Sequence, residues 1–153
     1  MKSTSLVIAT AAVAALVAAA AVSGAVSKIP RGTRVHAKLS AKEEVPPLDS
    51  KRATGSFHAI IFKQRRKLRL SWTLSYRRLS SRSATEARIH LGRRGANGKM
   101  IVQLCKPCGS AAGGLRTINA SIARQIRTGR TYVNVYTKRH PNGEVRGQVT
   151  LGK

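Results

Sequence analysis

Apolar and polar residues alternate with a period of two along most of this chain, the mark of half-buried β-strands. The segment 67–76 carries the signal most cleanly. Leu68, Leu70, Trp72, Leu74 and Tyr76 share one face, while Lys67, Arg69, Ser71, Thr73 and Ser75 share the other. A helical period of 3.6 would scatter these apolar residues around a cylinder, so the pattern predicts a strand with Trp72 in the core. The same alternation sets Val35, Ala37 and Leu39 against Arg34, His36 and Lys38, and it gathers Ala87, Ile89 and Leu91 over 85–91. Further strands are expected over 53–62, 100–104, 132–137 and 144–151, the last with Val145, Val149 and Leu151 on one side and Gly147 in register.

Pro141-Asn142-Gly143 joins the last two segments as a tight hairpin, because Asn and Gly tolerate positive φ. Only 118–127 departs from the rule. Ile118, Ile122 and Ile126 recur at i+4, Thr117 or Asn119 can cap the start, and Gly129 can end it, so a short helix is expected in a connection. Short strands with turn signals every ten residues or so predict an all-β fold, an antiparallel β-sandwich or barrel of about seven to eight strands.

The N-terminus changes the picture from fold to compartment. Lys2 precedes an uncharged, Ala-rich run from Leu6 to Val22, and small residues at Ser23 and Ala25 fit a signal-peptidase site. This is the three-part pattern of a secretory signal peptide over 1–25. An uncleaved anchor is the competing reading, but the run falls just short of the ~20 residues that cross a bilayer. Residues 26–33 read as a flexible leader, and one domain is expected over 34–151, with no transmembrane segment in the mature chain.

Charge then restricts the partners. The whole chain has 29 Lys and Arg against five acids, a formal +24; without residues 1–25 it is +23. For a secreted or envelope protein such a charge points to anionic surface or matrix polymers, or simply to solubility. Gln64-Arg65-Arg66-Lys67 with Arg69 is the densest basic run, and Arg77 and Arg78 are expected to extend it into one cationic side. Nucleic-acid binding usually adds exposed aromatics for stacking; here Trp72 and Tyr76 lie in apolar phase, so no specific nucleic-acid reader is expected.

Candidate chemistry is sparse. Cys105-Lys106-Pro107-Cys108 has C-x-x-C spacing and admits three readings. A structural disulfide is the simplest outside the cytoplasm. A redox pair needs a helix N-terminus in a βαβ unit, and a zinc site needs about four ligands. His90 shares a face with Glu86 and Arg88; it is either a metal ligand or proton carrier, or a histidine satisfied by hydrogen bonds at a strand end. His36, His58 and His140 show no ligand spacing. Glu43 and Glu44 diverge in an extended segment, and Glu144 and Arg146, at i and i+2, are expected to form a structural ion pair. No nucleophile motif, phosphate loop, cofactor or paired-carboxylate site stands out.

Five ordered words accumulate along the chain: Glu44-Val45-Pro46-Pro47, Ala53-Thr54-Gly55, Ala87-Arg88-Ile89-His90-Leu91-Gly92, Tyr132-Val133-Asn134-Val135-Tyr136-Thr137, and Pro141-Asn142-Gly143-Glu144-Val145-Arg146-Gly147-Gln148. Together they resemble the CHRD domain, first described in chordin and common in exported single-domain bacterial proteins. The resemblance implies an all-β domain outside the cytoplasm and, from chordin, a place among proteins that bind extracellular ligands; it implies no reaction. The family's third word usually reads Ala-His-Ile-His and its fourth ends Val-His-Thr. Here Arg88 and Tyr136 replace two of those histidines, and only His90 matches. The expectation is therefore a non-enzymatic binding module for an anionic polymer or an extracellular protein ligand. A metal- or thiol-dependent oxidoreductase is the alternative.

Overall fold

The computed structural model describes residues 31–49 and 52–152, so the expected signal peptide and most of the expected leader lie outside the described residues. The elements are β1 (Thr33–Ser40), a 3-10 turn (Ala41–Glu43), β2 (Thr54–Gln64), β3 (Lys67–Arg77), β4 (Glu86–Leu91), β5 (Met100–Cys105), β6 (Ala111–Ile118), α1 (Ala120–Arg127), β7 (Thr131–Tyr136), β8 (Val145–Gln148) and β9 (Thr150–Leu151). They form one antiparallel sheet in the order β5-β4-β7-β8-β1-β2-β3-β6, with β9 extending the pairing along β1. The sheet curls until its two edge strands approach, which makes a nearly closed barrel. Arg116 on β6 stitches the seam: its Nε and Nη2 donate to the carbonyls of Gln103 and Leu104 on β5, at 2.9 and 2.6 Å.

Alternation decides which side chains fill the interior. Val35, Ala37 and Leu39 face in from β1, Phe57, Ala59 and Ile61 from β2, Leu70, Trp72 and Leu74 from β3, and Val133 and Val135 from β7. The helix occupies the connection expected of it. Asn119 caps it by accepting from the Ile122 amide at 2.8 Å, and Gly129 beyond its end has φ of +68°.

Two expectations are corrected, and one strand is added to those expected. Leu151 is 55% exposed, because the last segment breaks into β8 and β9 and only Val145 and Val149 reach the core. The hairpin between β7 and β8 is an eight-residue loop, 137–144, rather than a tight turn. Finally, Ala111–Ile118 is a strand although nothing in it alternates. Two glycines and a mostly exposed surface hide it from a hydrophobic pattern. It forms because β3 has a second edge to satisfy, and because Gly114 leaves room for the Trp72 indole, whose atoms would stand 3.2–3.3 Å from a Cβ there.

Candidate functional site

β7 is buried on both faces, which a strand at the surface of a barrel achieves only when something covers its outside. The cover is the Gly92–Lys99 segment together with Glu44 and Val45 from the β1–β2 connection, joined where Asn97 Nδ2 donates to the Val45 carbonyl at 2.9 Å. Beneath it lies a polar layer. Tyr132, Asn134 and Tyr136 point outward from β7. Cross-strand register sets Tyr136 beside Glu86, Asn134 between Arg88 and Arg146, and Tyr132 between His90 and Gln148. Four of the five sequence words thus meet on one face, and Glu44 and Asn134, which touch there, are 90 positions apart in the chain.

The hydrogen bonds fix the protonation of His90. Its Nδ1 lies 2.8 Å from the Gly98 carbonyl, which can only accept, so Nδ1 carries the proton. Nε2, 2.7 Å from the Tyr136 hydroxyl, therefore accepts. Burial, with the Arg88 and Arg146 charges adding to it, depresses the imidazole's basicity, and burial pushes the Tyr136 phenol up to about 12. Arg88 lies 4.6 Å over the Tyr136 ring and pairs with Glu86, whose second cation is Lys106 at 3.7 Å. The positions that carry histidine in the usual family words do converge here. In this chain they form a closed Arg88–His90–Tyr136 network, in which the free lone pair of His90 is already used by a hydroxyl.

Glu144 and Arg146 do not pair with each other, contrary to expectation. Glu144, fully buried, accepts from the Ser80 amide and hydroxyl and from the Thr137 hydroxyl at 2.7 Å. Arg146, also buried, donates to Asn97 Oδ1 at 2.8 Å and to the Arg93 and Ala96 carbonyls, and its guanidinium stacks 3.5 Å from the Tyr132 ring centre. Each charge is satisfied by a different loop, because loop carbonyls and hydroxyls close over the sheet nearer than the other charge does.

Glu43 and Glu44 diverge as expected: Glu43 pairs with Arg94, whereas Glu44 turns in. Glu44 Oε2 accepts from Asn134 Nδ2 at 3.3 Å, while Glu44 Oε1 and Asn134 Oδ1 are buried without partners. Gly143, with φ of +121°, permits this approach; a Cβ there would stand 2.5 Å from Asn134 Nδ2. Burial raises the Glu44 pKa from 4.5 to about 7, which favours the neutral carboxyl up to that pH. A carboxyl with a raised folded pKa stabilises the fold below its unfolded pKa, and that stability is lost as pH rises. Relative to Glu44→Gln, the wild type should lose on the order of 3 kcal/mol between pH 4.5 and about 7. Urea melts of both proteins across that window check it; a flat difference removes the assignment.

Cys105 and Cys108 form a disulfide with Cα atoms 5.2 Å apart. Its setting is a strand end: Cys105 closes β5, and Cys108 bridges to Ala84, with Tyr76 accepting from the Ala84 amide and donating to the Cys108 carbonyl at 2.9 Å.

The basic candidates do not form one side. Arg65, Arg66 and Lys67 make the exposed tip of the β2–β3 hairpin. Arg69 is held down, donating to the Thr117 hydroxyl. Arg77 and Arg78 stand at the far end of β3, and Arg77 Nε donates to Thr54 Oγ1 at 3.3 Å. Ten strand residues span about 33 Å, several times the Debye length of ~8 Å at physiological salt. One patch becomes two ends, because an antiparallel strand carries neighbours in sequence away from one another.

His36 and His58, scattered in sequence, face each other across β1 and β2. Sequence reasoning weighed Glu44 only against Glu43, and passed over the roles of Asn134 and Tyr132. The available signal was polar residues at every outward position of a strand whose inward positions are Val.

Among the described residues no helix is long and apolar enough to cross a membrane. A family model described as CHRD domain matches residues 35–149. No curated protein and no solved structure matches the chain.

Proposed function

The chain belongs to the CHRD-domain family, and we propose that it is an exported, non-enzymatic binding module that engages anionic polymers at the cell surface or matrix through the β2–β3 hairpin tip. CHRD domains are typically extracellular, the setting in which such polymers are met. The observation that carries the reading is the backbone of the tip. Arg65 has φ of +45° and Arg66 of +65°, the conformation of a two-residue turn that favours Asn-Gly. Holding an L side chain there costs on the order of 1–2 kcal/mol per residue. Two arginines at that cost give three adjacent, exposed cations at the end of a long hairpin, and strain kept at a surface site points to use of the side chains. Arg78, at the opposite end of β3, has φ of +57° and makes a second, smaller station.

Stability and binding should therefore move in opposite directions. Arg65→Asn with Arg66→Gly restores the preferred turn and should raise the unfolding free energy by about 1–2 kcal/mol, read by urea denaturation. Adding Lys67→Gln should lower the salt concentration that elutes the protein from a sulfated-polysaccharide resin, and should flatten the salt dependence of retention. The control is Arg82→Gln, Lys138→Gln and Arg139→Gln, equal in charge, exposed, and carried by the β3–β4 and β7–β8 connections at the opposite end of the strands. Equal loss in both triple variants would leave a net-charge effect and remove the localised site.

A further inference from the structure

We propose that His36 and His58 form a surface site for a divalent transition-metal ion of the imidazole-preferring class, such as Zn2+ or Cu2+. The two histidines are direct cross-strand partners in the β1–β2 ladder. They share the outer face of the sheet, where a shallow depression of about 460 Å³ lies over them beside Ser71 and Thr73. Their rings are stacked, with centres 6.4 Å apart and planes inclined by 23°. Two imidazoles sharing one ion, at about 2.0–2.1 Å for each metal–nitrogen bond, hold their ring centres on the order of 5–6 Å apart. Binding therefore requires the exposed His58 ring to rotate about its side-chain torsions out of the stacked arrangement, so that a lone pair from each ring meets at one point.

The neighbouring strand prepares one ring. Thr150 Oγ1 lies 3.3 Å from the His36 carbonyl and 3.3 Å from His36 Nε2. Its single hydrogen goes to the carbonyl, which can only accept. The ring must then donate from Nε2, leaving the lone pair of His36 on Nδ1. A ligating imidazole whose other nitrogen is held by an oxygen is the usual arrangement around protein-bound metals. His58 is exposed and makes no side-chain hydrogen bond among the described residues. His90 differs on each count, being buried with both ring nitrogens engaged. Water would complete the coordination.

The surroundings give this site a signature opposite to that of the hairpin tip. Arg34 and Lys38 flank His36 on the same face of β1, both exposed, and their charge repels a cation. Added salt screens that repulsion. Zn2+ affinity should therefore rise with ionic strength, whereas polyanion binding falls.

The test is titration of the whole protein with Zn2+, by calorimetry and by the histidine ring resonances. One ion should bind per chain, and the His36 and His58 resonances should move together while those of His90 and His140 stay. His58→Asn and His36→Asn should each lose about tenfold or more, at about 1.4 kcal/mol per decade. His140→Asn should bind as wild type, and Lys38→Gln more tightly. His58 projects from the surface, so its variant should retain the fold even if His36→Asn does not. Unchanged Zn2+ affinity in His58→Asn, or no binding below millimolar Zn2+, overturns the site.

Discussion

Trp72→Ala should lower the unfolding free energy by on the order of 3–5 kcal/mol and the thermal midpoint by roughly 10–20 °C. The indole is 3% exposed at the centre of β3, with Ala59 across one ladder and Gly114 across the other. Both partners are small, so no neighbour can swing in to fill the space, and a cavity that cannot collapse carries the full penalty. Indole Nε1 is buried without a partner. Trp72→Phe discards that orphan donor along with part of the volume, and should therefore cost clearly less than Trp72→Ala. Denaturant melts with tryptophan emission check the pair. An unchanged midpoint in Trp72→Ala, or wild-type emission typical of a wet indole, would contradict the packing.

Arg146→Met should cost about 3 kcal/mol, because a hydrogen bond from a charged donor contributes about 1.5–3 kcal/mol and Arg146 makes three within one buried environment. The methionine keeps most of the apolar stem and cannot replace the guanidinium fork, so the Arg93 and Ala96 carbonyls and Asn97 lose their donor. The damage should be local. Amide exchange should accelerate over residues 92–99, three of which Arg146 holds, and remain slow in β2 and β3. The Arg146 charge also holds the Glu44 pKa down, so the acid titration of Glu44 should move further upward in the variant. Arg146→Lys should fail in the same way, since an ammonium cannot reach three acceptors in a fixed plane. Uniform exchange across the barrel would show that Arg146 supports global stability rather than the cover.

Much of the fold was legible because a barrel strand writes its own record. Inward residues must be apolar and outward ones face water, so Leu68, Leu70, Trp72 and Leu74 announced β3 without any knowledge of its neighbours. The α1 cap and stop were equally local, being set by Asn119 and Gly129. β6 left no such record, since its outward residues and two glycines answer to Trp72 and to the β3 edge rather than to a pattern of its own. Leu151 misled for the complementary reason: alternation assigns a face, but cannot say whether the sheet still has an interior at its last residue.

The candidate site divides in the same way. The sequence by itself determined the all-β class, the family, the large positive charge and the C-x-x-C spacing, because each of these is carried by composition, by local order or by contiguous words. Only the tertiary structure decided that Glu44, His90, Asn134 and Arg146 share one covered layer, that Glu144 and Arg146 answer to different loops, and that Arg69 is held down while Arg65 and Arg66 project. It alone set His36 opposite His58. The physical reason is register: cross-strand pairing brings together residues such as His36 and His58, 22 positions apart, or His90 and Tyr132, 42 apart, through hydrogen bonds of backbone atoms, which are the same in every residue. No side-chain pattern within one strand specifies which partner lies beside it.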